Sequence, residues 1–190
     1  MADEMRATAE FLYELGLMKR FKRTGWEIVG VPEPESIADH SFRAAVTAAA
    51  IASGEGADPQ RAAFLALWHD SQETRITDLP HHVKPYVTVT PNEAITGDQT
   101  RGLPSALAAL VRTAVGEYEA KETTESRCAR DADKLECLIQ ACEYGAQGHE
   151  TQAWIDSSLA ALTTATAKRI ADEVLRTAPL RWRERIIDGR

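Results

Sequence analysis

The sequence predicts one all-α domain, a bundle of about six or seven helices. Three observations carry that prediction. Apolar residues recur at helical spacing through most of the 190 residues. Only Val87-Thr88-Val89-Thr90 has strand character, and so short a stretch finds no second strand to pair with. No repeat, low-complexity run or linker divides the chain, so the expected domain is 1–190, with a motif-bearing core over about 11–145 and C-terminal helices over 150–190. The hydrophobic fraction of 44% and charged fraction of 27% are those of a soluble globular chain. The length is enough to bury a core without a disulfide or structural metal.

The elements follow in chain order. From Glu4 to Met18, the residues Phe11, Leu12, Leu15 and Met18 fall at i, i+1, i+4 and i+7, the stripe of an amphipathic helix. Gly25, Gly30, Pro32 and Pro34 then break the pattern between Lys19 and Glu35 into a loop. Ser36 with Asp39 three residues on is an N-cap signature for an alanine-rich helix over 39–53, stopped at Gly54. Asp58-Pro59 pairs a capping carboxylate with proline at the first helical position. The helix it starts carries Ala62, Phe64, Leu65 and Leu67, is apolar on most sides and so central, and runs into Trp68-His69-Asp70. Pro80, Pro85 and Pro91 exclude a long helix from Thr77 to Pro91. Helices over 103–121, entered through Pro104, over 127–145 and over 152–177 complete the set. The last carries Ile155, Leu159, Leu162, Ile170 and Val174, apolar positions suited to a dimer interface.

Lys and Arg total 22 against 29 Asp and Glu, a net charge of −7, which disfavours nucleic-acid polymers and anionic membrane as partners. Cys128, Cys137 and Cys142 lack CxxC spacing and read as reduced thiols. There is no apolar run long enough to span a membrane, and the first residues lack the apolar core of a secretory signal, so the expected location is cytoplasmic.

The chemistry concentrates around two of the five histidines, in Asp39-His40 and His69-Asp70. Side chains of adjacent helical residues point about 100° apart, so an imidazole and a carboxylate at a helix end can converge on one ion. Glu73, four residues from His69, joins that face if the helix continues. Mixed nitrogen and oxygen donors suit Mn²⁺, Co²⁺, Fe²⁺ or Zn²⁺. A hydrolytic metal needs further protein ligands and open positions, for which His40 and Asp133 are the candidates.

Four blocks in this order resemble the HD-domain phosphohydrolases and, within them, the metal-dependent 5′-deoxynucleotidases. They are Lys22-Arg23-Thr24-Gly25-Trp26, the stretch from Pro34 to Ser41, the stretch from Leu67 to Pro80, and Asp133-Lys134-Leu135-Glu136 followed by Gln140-Ala141-Cys142-Glu143-Tyr144. The resemblance implies an HD-domain helical fold, a homodimer, one divalent metal ion (Mn²⁺ or Co²⁺ first, with Fe²⁺, Zn²⁺ and Mg²⁺ as alternatives) and a small-molecule nucleotide substrate that loses its 5′-phosphate. It implies His40, His69, Asp70 and Asp133 as metal ligands, Glu73 and Asp78 as catalytic carboxylates, and Arg23 on the phosphate. Trp26 would pack on the sugar, with Leu79, Pro80, His81 and Lys84 lining the substrate side and His40 reaching it as well. Two departures stand out. Two residues separate Arg23 from Trp26, which are adjacent in some members, and Thr77 stands where the pattern has glycine.

Three rival functions compete with this one. A di-iron oxygenase needs more histidines, and none occurs from Val83 to Gly148. A triphosphate hydrolase would want a further basic segment, which the chain lacks. A non-catalytic nucleotide-binding domain would be expected to have lost a ligand or a catalytic carboxylate, whereas all six of these residues are present.

Overall fold

A computed structural model describes residues 2–187 and 189. Among them there is no strand, and the single bridge pairs Lys22 with Ser36. The α-helices are α1 (Ala2–Leu15), α2 (Ile37–Glu55), α3 (Pro59–Trp68), α4 (Glu73–Ile76), α5 (Asn92–Gln99), α6 (Ser105–Ala120), α7 (Thr124–Ala146), α8 (Gln152–Ala161), α9 (Ala165–Arg176) and α10 (Arg181–Ile187). Short 3₁₀ turns cover Gly16–Lys19, Thr24–Val29 and His81–Tyr86. The class is as expected but the helices are more numerous. The additional ones, α4, α5 and α10, are at most eight residues long, too short to show a periodic apolar stripe.

Local signals read from the sequence form as capping chemistry. Ser36 Oγ accepts the Asp39 N–H at 3.1 Å while Asp39 Oδ2 accepts the Ser36 N–H at 2.9 Å, a reciprocal box that starts α2. Asp58 Oδ1 accepts from the N–H groups of Gln60 and Arg61 at 2.9 and 3.2 Å, with Pro59 next to it opening α3. The stop of α2 differs from expectation: Gly56, at φ 71°, takes the left-handed cap. Gly54 stays helical, and a Cβ there would stand 2.6 Å from Thr166, so this glycine lets α9 approach α2.

The core forms where α2, α3 and α7 meet. Ala44, Ala48, Ala52, Ala62, Ala66, Ala129 and Ala132 are fully buried, and such small side chains let helix axes come close. Ile51, Leu65, Leu135 and Leu138, also fully buried, fill the space between. On the opposite side of α3, Phe11 stacks on Trp68 with ring centroids 6.2 Å apart, which docks α1; Leu12, expected on the same stripe, is 61% exposed.

The helix expected over 152–177 is two helices. Asp131, buried on α7, accepts the N–H of Thr163 at 3.0 Å and that of Thr164 at 2.6 Å, and both threonine hydroxyls as well. Thr164 then caps α9 through its own side chain. The helix is interrupted there, and Ile155, Leu159, Leu162, Ile170 and Val174 pack on the protein's own core. They are not a free face for a second copy. No helix of the described residues is long and apolar enough to cross a membrane.

Candidate active site

Three helices deliver the four expected ligands to one place. His40 lies in the first turn of α2, His69 and Asp70 follow α3, and Asp133 lies midway along α7. The helix does not continue through His69 as the Glu73 expectation required. The chain turns over 69–72, and α4 restarts at Glu73, which still lines the same cavity.

Each imidazole is oriented by its Nδ1. His69 Nδ1 lies 2.6 Å from the Ala66 carbonyl oxygen, an acceptor, so the ring donates there. His40 Nδ1 donates to the Glu136 carboxylate. Both Nε2 atoms are thereby left facing each other at 3.3 Å. Asp133 Oδ1 is 3.4 Å from His40 Nε2 and 3.8 Å from His69 Nε2, and Asp70 Oδ2 is 3.6 and 3.0 Å from the same two atoms. Asp70 Oδ2 is buried and accepts no well-aligned hydrogen bond. Two nitrogen lone pairs and two carboxylate oxygens converging in a buried space repel one another unless a cation lies among them. Ligand atoms about 2.0–2.2 Å from one ion stand roughly 3–3.6 Å apart, and these spacings fall in that range except that of Asp133 Oδ1 from His69 Nε2, at 3.8 Å.

The electrostatics agree. Burial would depress both imidazoles, but Asp70 and Asp133 outweigh it and hold His69 well above its usual range. Burial and Arg23 likewise depress His40, and Asp133 and Glu136 more than offset them. Burial would raise Asp70, yet His69, His40 and Arg23 bring it to about 2. Burial would raise Asp133 too, but Lys134 and both histidines hold it well below normal. The centre is an anionic cluster that draws in positive charge. These residues fit one divalent cation, with His40, His69 and Asp133 offering atoms that all lie within 4.8 Å of one another.

Around this centre the expected residues fall as follows. Arg23 Nη1 stands 3.6 Å from Asp70 Oδ2 and 3.5 Å from Asp78 Oδ1, fixing the guanidinium at the edge of the cluster. Asp78 Oδ2 accepts the Thr24 N–H at 2.6 Å, which ties the Arg23 loop to the segment after α4. Glu73 is nearly buried, its Oε2 has no partner, and burial together with Asp70 pushes its carboxyl well above the usual range. Leu79, Pro80, His81 and Lys84 line a cavity of about 860 Å³ that also reaches His69, Asp70 and Asp133. Thr77 sits at φ 60° and ψ 170°, backbone that glycine takes freely and a β-branched residue holds at a cost of order 1–3 kcal/mol. Its departure from the glycine pattern is therefore a strained turn between Glu73 and Asp78.

Trp26 is in the cavity wall but only 2% exposed. Its indole N–H donates to Glu35 Oε1 at 2.9 Å, and its ring is held between Tyr144 (5.2 Å, edge-on) and Trp154 (5.5 Å, stacked).

Sequence reasoning assigned no role to several residues found here. Glu136, three positions from Asp133 and so on the same face of α7, was visible in the matched block. Its partner Arg43, which donates to it from Nε at 2.9 Å, was not. Tyr118 packs on His69 with ring centroids 5.3 Å apart, and Trp154, Ser157 and Ser158 bring α8 into the cavity wall.

Glu35 is a further case. Burial and the nearby Glu136 raise its carboxyl to about 7. A folded value above the ordinary 4.5 means that folding favours the protonated form. The stabilisation is complete below about 4.5 and is lost as pH rises toward 7. Glu35→Gln keeps the oxygen that Trp26 binds and removes the titration. Thermal melts at pH 5 and pH 8 should show wild type losing about 3–8 °C more than the variant, since partial exposure lets solvent screen part of the effect. Equal losses in the two proteins would refute the assignment.

The HD domain family model matches residues 15–175. The chain is 30% identical over 162 residues to the 5′-deoxynucleotidase HDDC2 of Dictyostelium discoideum, covering 75% of this chain and 80% of that one. It is 31% identical over 145 residues to the 5′-deoxynucleotidase HDDC2 of Homo sapiens, covering 73% and 69%. A solved structure of a conserved hypothetical protein from Pyrococcus furiosus superposes with a TM-score of 0.73 at 31% identity, covering 89% of this chain and 99% of that one. With the two histidines and two aspartates gathered at one centre, and with a family match over most of its length, the chain belongs to the HD domain family.

Proposed function

We propose that this protein is a metal-dependent phosphomonoesterase that removes the 5′-phosphate from deoxynucleoside 5′-monophosphates. The observation that carries this reading is the convergence of two imidazole nitrogens and two carboxylate oxygens at the floor of a cavity that also holds a fixed guanidinium and a partnerless buried carboxyl. Relatives that carry the name 5′-deoxynucleotidase support the substrate class. His40, His69, Asp70 and Asp133 hold the ion, with Mn²⁺ or Co²⁺ matching the mixed donor set. When bound, it supplies Lewis-acid polarisation of a phosphate oxygen and neutralises developing charge.

The chain's own groups do the rest. Arg23, held by Asp70 and Asp78, presents a permanently charged fork to the phosphate oxygens. Glu73 Oε2, buried and unpartnered, exchanges a proton with the attacking water or the leaving 5′-oxygen. Asp78 acts through Arg23 and Thr24, since both its oxygens are engaged. Leu79, Pro80, His81 and Lys84 form the rim against which the nucleoside lies. The whole chain works as one domain, because α8 closes the cavity as well as the core. The free cysteines among the described residues support a reducing, cytoplasmic setting, and the family resemblance supports a homodimer.

A phosphate-release screen of nucleoside mono-, di- and triphosphates tests the reading, run on chelator-stripped protein to which single divalent metals are returned. Activity on deoxynucleoside monophosphates should fall to background on stripping and return with Mn²⁺ or Co²⁺. Release of pyrophosphate or triphosphate instead would replace it with the triphosphate hydrolase. In the structure, Arg130 and Lys134 at the cavity are already paired with Glu119 and Asp133, which leaves less charge for a long phosphate chain.

A further inference from the structure

We propose that Trp154, on α8, is the platform on which the nucleobase stacks, and so a determinant of nucleotide over simple sugar phosphate. The inference rests on the phosphomonoesterase reading and adds to it the part of the substrate far from phosphorus.

Trp26, three residues after Arg23, is 2% exposed, and its N–H is committed to Glu35. Its role is to back Trp154, which stacks against it at 5.5 Å with 29° between the planes. Trp154 itself is partly exposed and lines the cavity, and its indole N–H finds no protein acceptor among the described residues. A fixed, partly open indole offers the surface that a base uses, and such stacking is largely indifferent to base identity.

The placement suits a nucleoside whose phosphate lies at the ion centre. Gly25, two residues from Arg23, lies close to the indole nitrogen: a Cβ on Gly25 would stand 3.4 Å from Trp154 Nε1. Cys137 lies one helical turn beyond Asp133, about 6 Å along α7, and interacts with Ser158, one turn beyond Trp154. The ring is thus tied to both a phosphate-side residue and a ligand-bearing helix within a short reach. Ala153 and Ala161 of the same helix also line the cavity.

The test compares kinetics on a deoxynucleoside 5′-monophosphate and on 2-deoxyribose 5-phosphate, which has the sugar and phosphate but no base. Trp154→Leu keeps an apolar partner for Trp26, and Trp154→Phe keeps an aromatic face. Stacking is worth about 1–3 kcal/mol per base, so Trp154→Leu should raise KM for the nucleotide roughly 5- to 100-fold. The preference for nucleotide over base-free sugar phosphate should contract by the same factor, and Trp154→Phe should restore most of it. A wall that merely shapes the cavity would shift both substrates alike. A preference ratio equal to that of wild type in Trp154→Leu therefore overturns the proposal. Calorimetric binding of the free deoxynucleoside separates this from failure of the parent reading. If wild type releases no phosphate yet binds deoxynucleoside, and Trp154→Leu does not, the platform stands. Equal binding by both proteins, or none by wild type, overturns it.

Discussion

Replacing Asp70 with asparagine is expected to reduce phosphate release at least about 10³-fold while leaving a folded helical protein. The metal's contribution to a hydrolytic transition state is several kcal/mol, and each 1.4 kcal/mol is about tenfold in rate. Asp70 contributes twice: its Oδ2 completes the donor set beside His69 and His40, and it is one of the two carboxylates that place Arg23. The amide is nearly isosteric but carries no charge, so the cation loses a ligand and the guanidinium loses an anchor. The fold should survive because the alanine-lined contact of α2, α3 and α7 does not include the Asp70 side chain. The measurements are kcat/KM with Mn²⁺ or Co²⁺, bound metal per chain and the far-ultraviolet circular dichroism spectrum. Native helicity with activity within tenfold of wild type would remove the assigned centre. His69→Ala gives the parallel test on the nitrogen side. Its Nδ1 binds only the Ala66 carbonyl, so loss of the ring costs that one local bond, its packing on Tyr118 and the ligand.

What could be read in the sequence and what could not divides along the range of the interactions. The capping box of Ser36 and Asp39 and the Asp58-Pro59 start act across three residues, so their chemistry is written locally and forms as read. The His69-Asp70 pair was legible for the same reason, since adjacency on a helix end already sets the two donors near one ion. The break at 162–164 was not legible, because the group that stabilises it, Asp131, is more than 30 residues earlier. An apolar stripe running through Leu159, Leu162 and Ile170 looks the same whether it belongs to one helix or two. Trp26 illustrates a different limit. Its place in the cavity wall was legible, but how little of its ring is open depends on Tyr144 and Trp154, both distant in sequence. Thr77 is the reverse case: a missing glycine in a motif marked a turn whose positive φ the structure then shows.

Glu136 is where loss of one side chain should be felt in both stability and metal affinity. It is fully buried, and its contact with the expected site residues is through His40. One oxygen receives His40 Nδ1; the other receives Arg43 Nε at 2.9 Å and Nη2 at 2.8 Å. Arg43 is held in turn by Glu143 at 2.8 Å and by Gln140 at 2.7 Å. Despite burial, the Glu136 carboxyl lies below its usual range, because His40 and Arg43 stabilise its charge. Glu136→Ala strips the Nδ1 partner from the fully buried His40 imidazole and removes one of three partners from the half-buried Arg43 guanidinium. Breaking such a pair costs about 3–5 kcal/mol, or roughly 6–20 °C in Tm for a chain of this size. That loss alone would show only a structural role. Glu136→Gln separates the two effects, since it fills the same space and can still accept from one partner. Its amide cannot accept from both Arg43 and His40, so one of those contacts is lost and the tautomer that turns Nε2 toward the ion is no longer enforced. Removing a group that orients a ligating histidine weakens metal binding about 10- to 100-fold. The metal dissociation constant of Glu136→Gln, measured by competition with a chelating dye, should rise by that factor, while kcat at saturating metal recovers most of its wild-type value. An unchanged dissociation constant in a folded Glu136→Gln protein would mean that Glu136 serves the packing of α2 on α7 and leaves the orientation of His40 to other contacts.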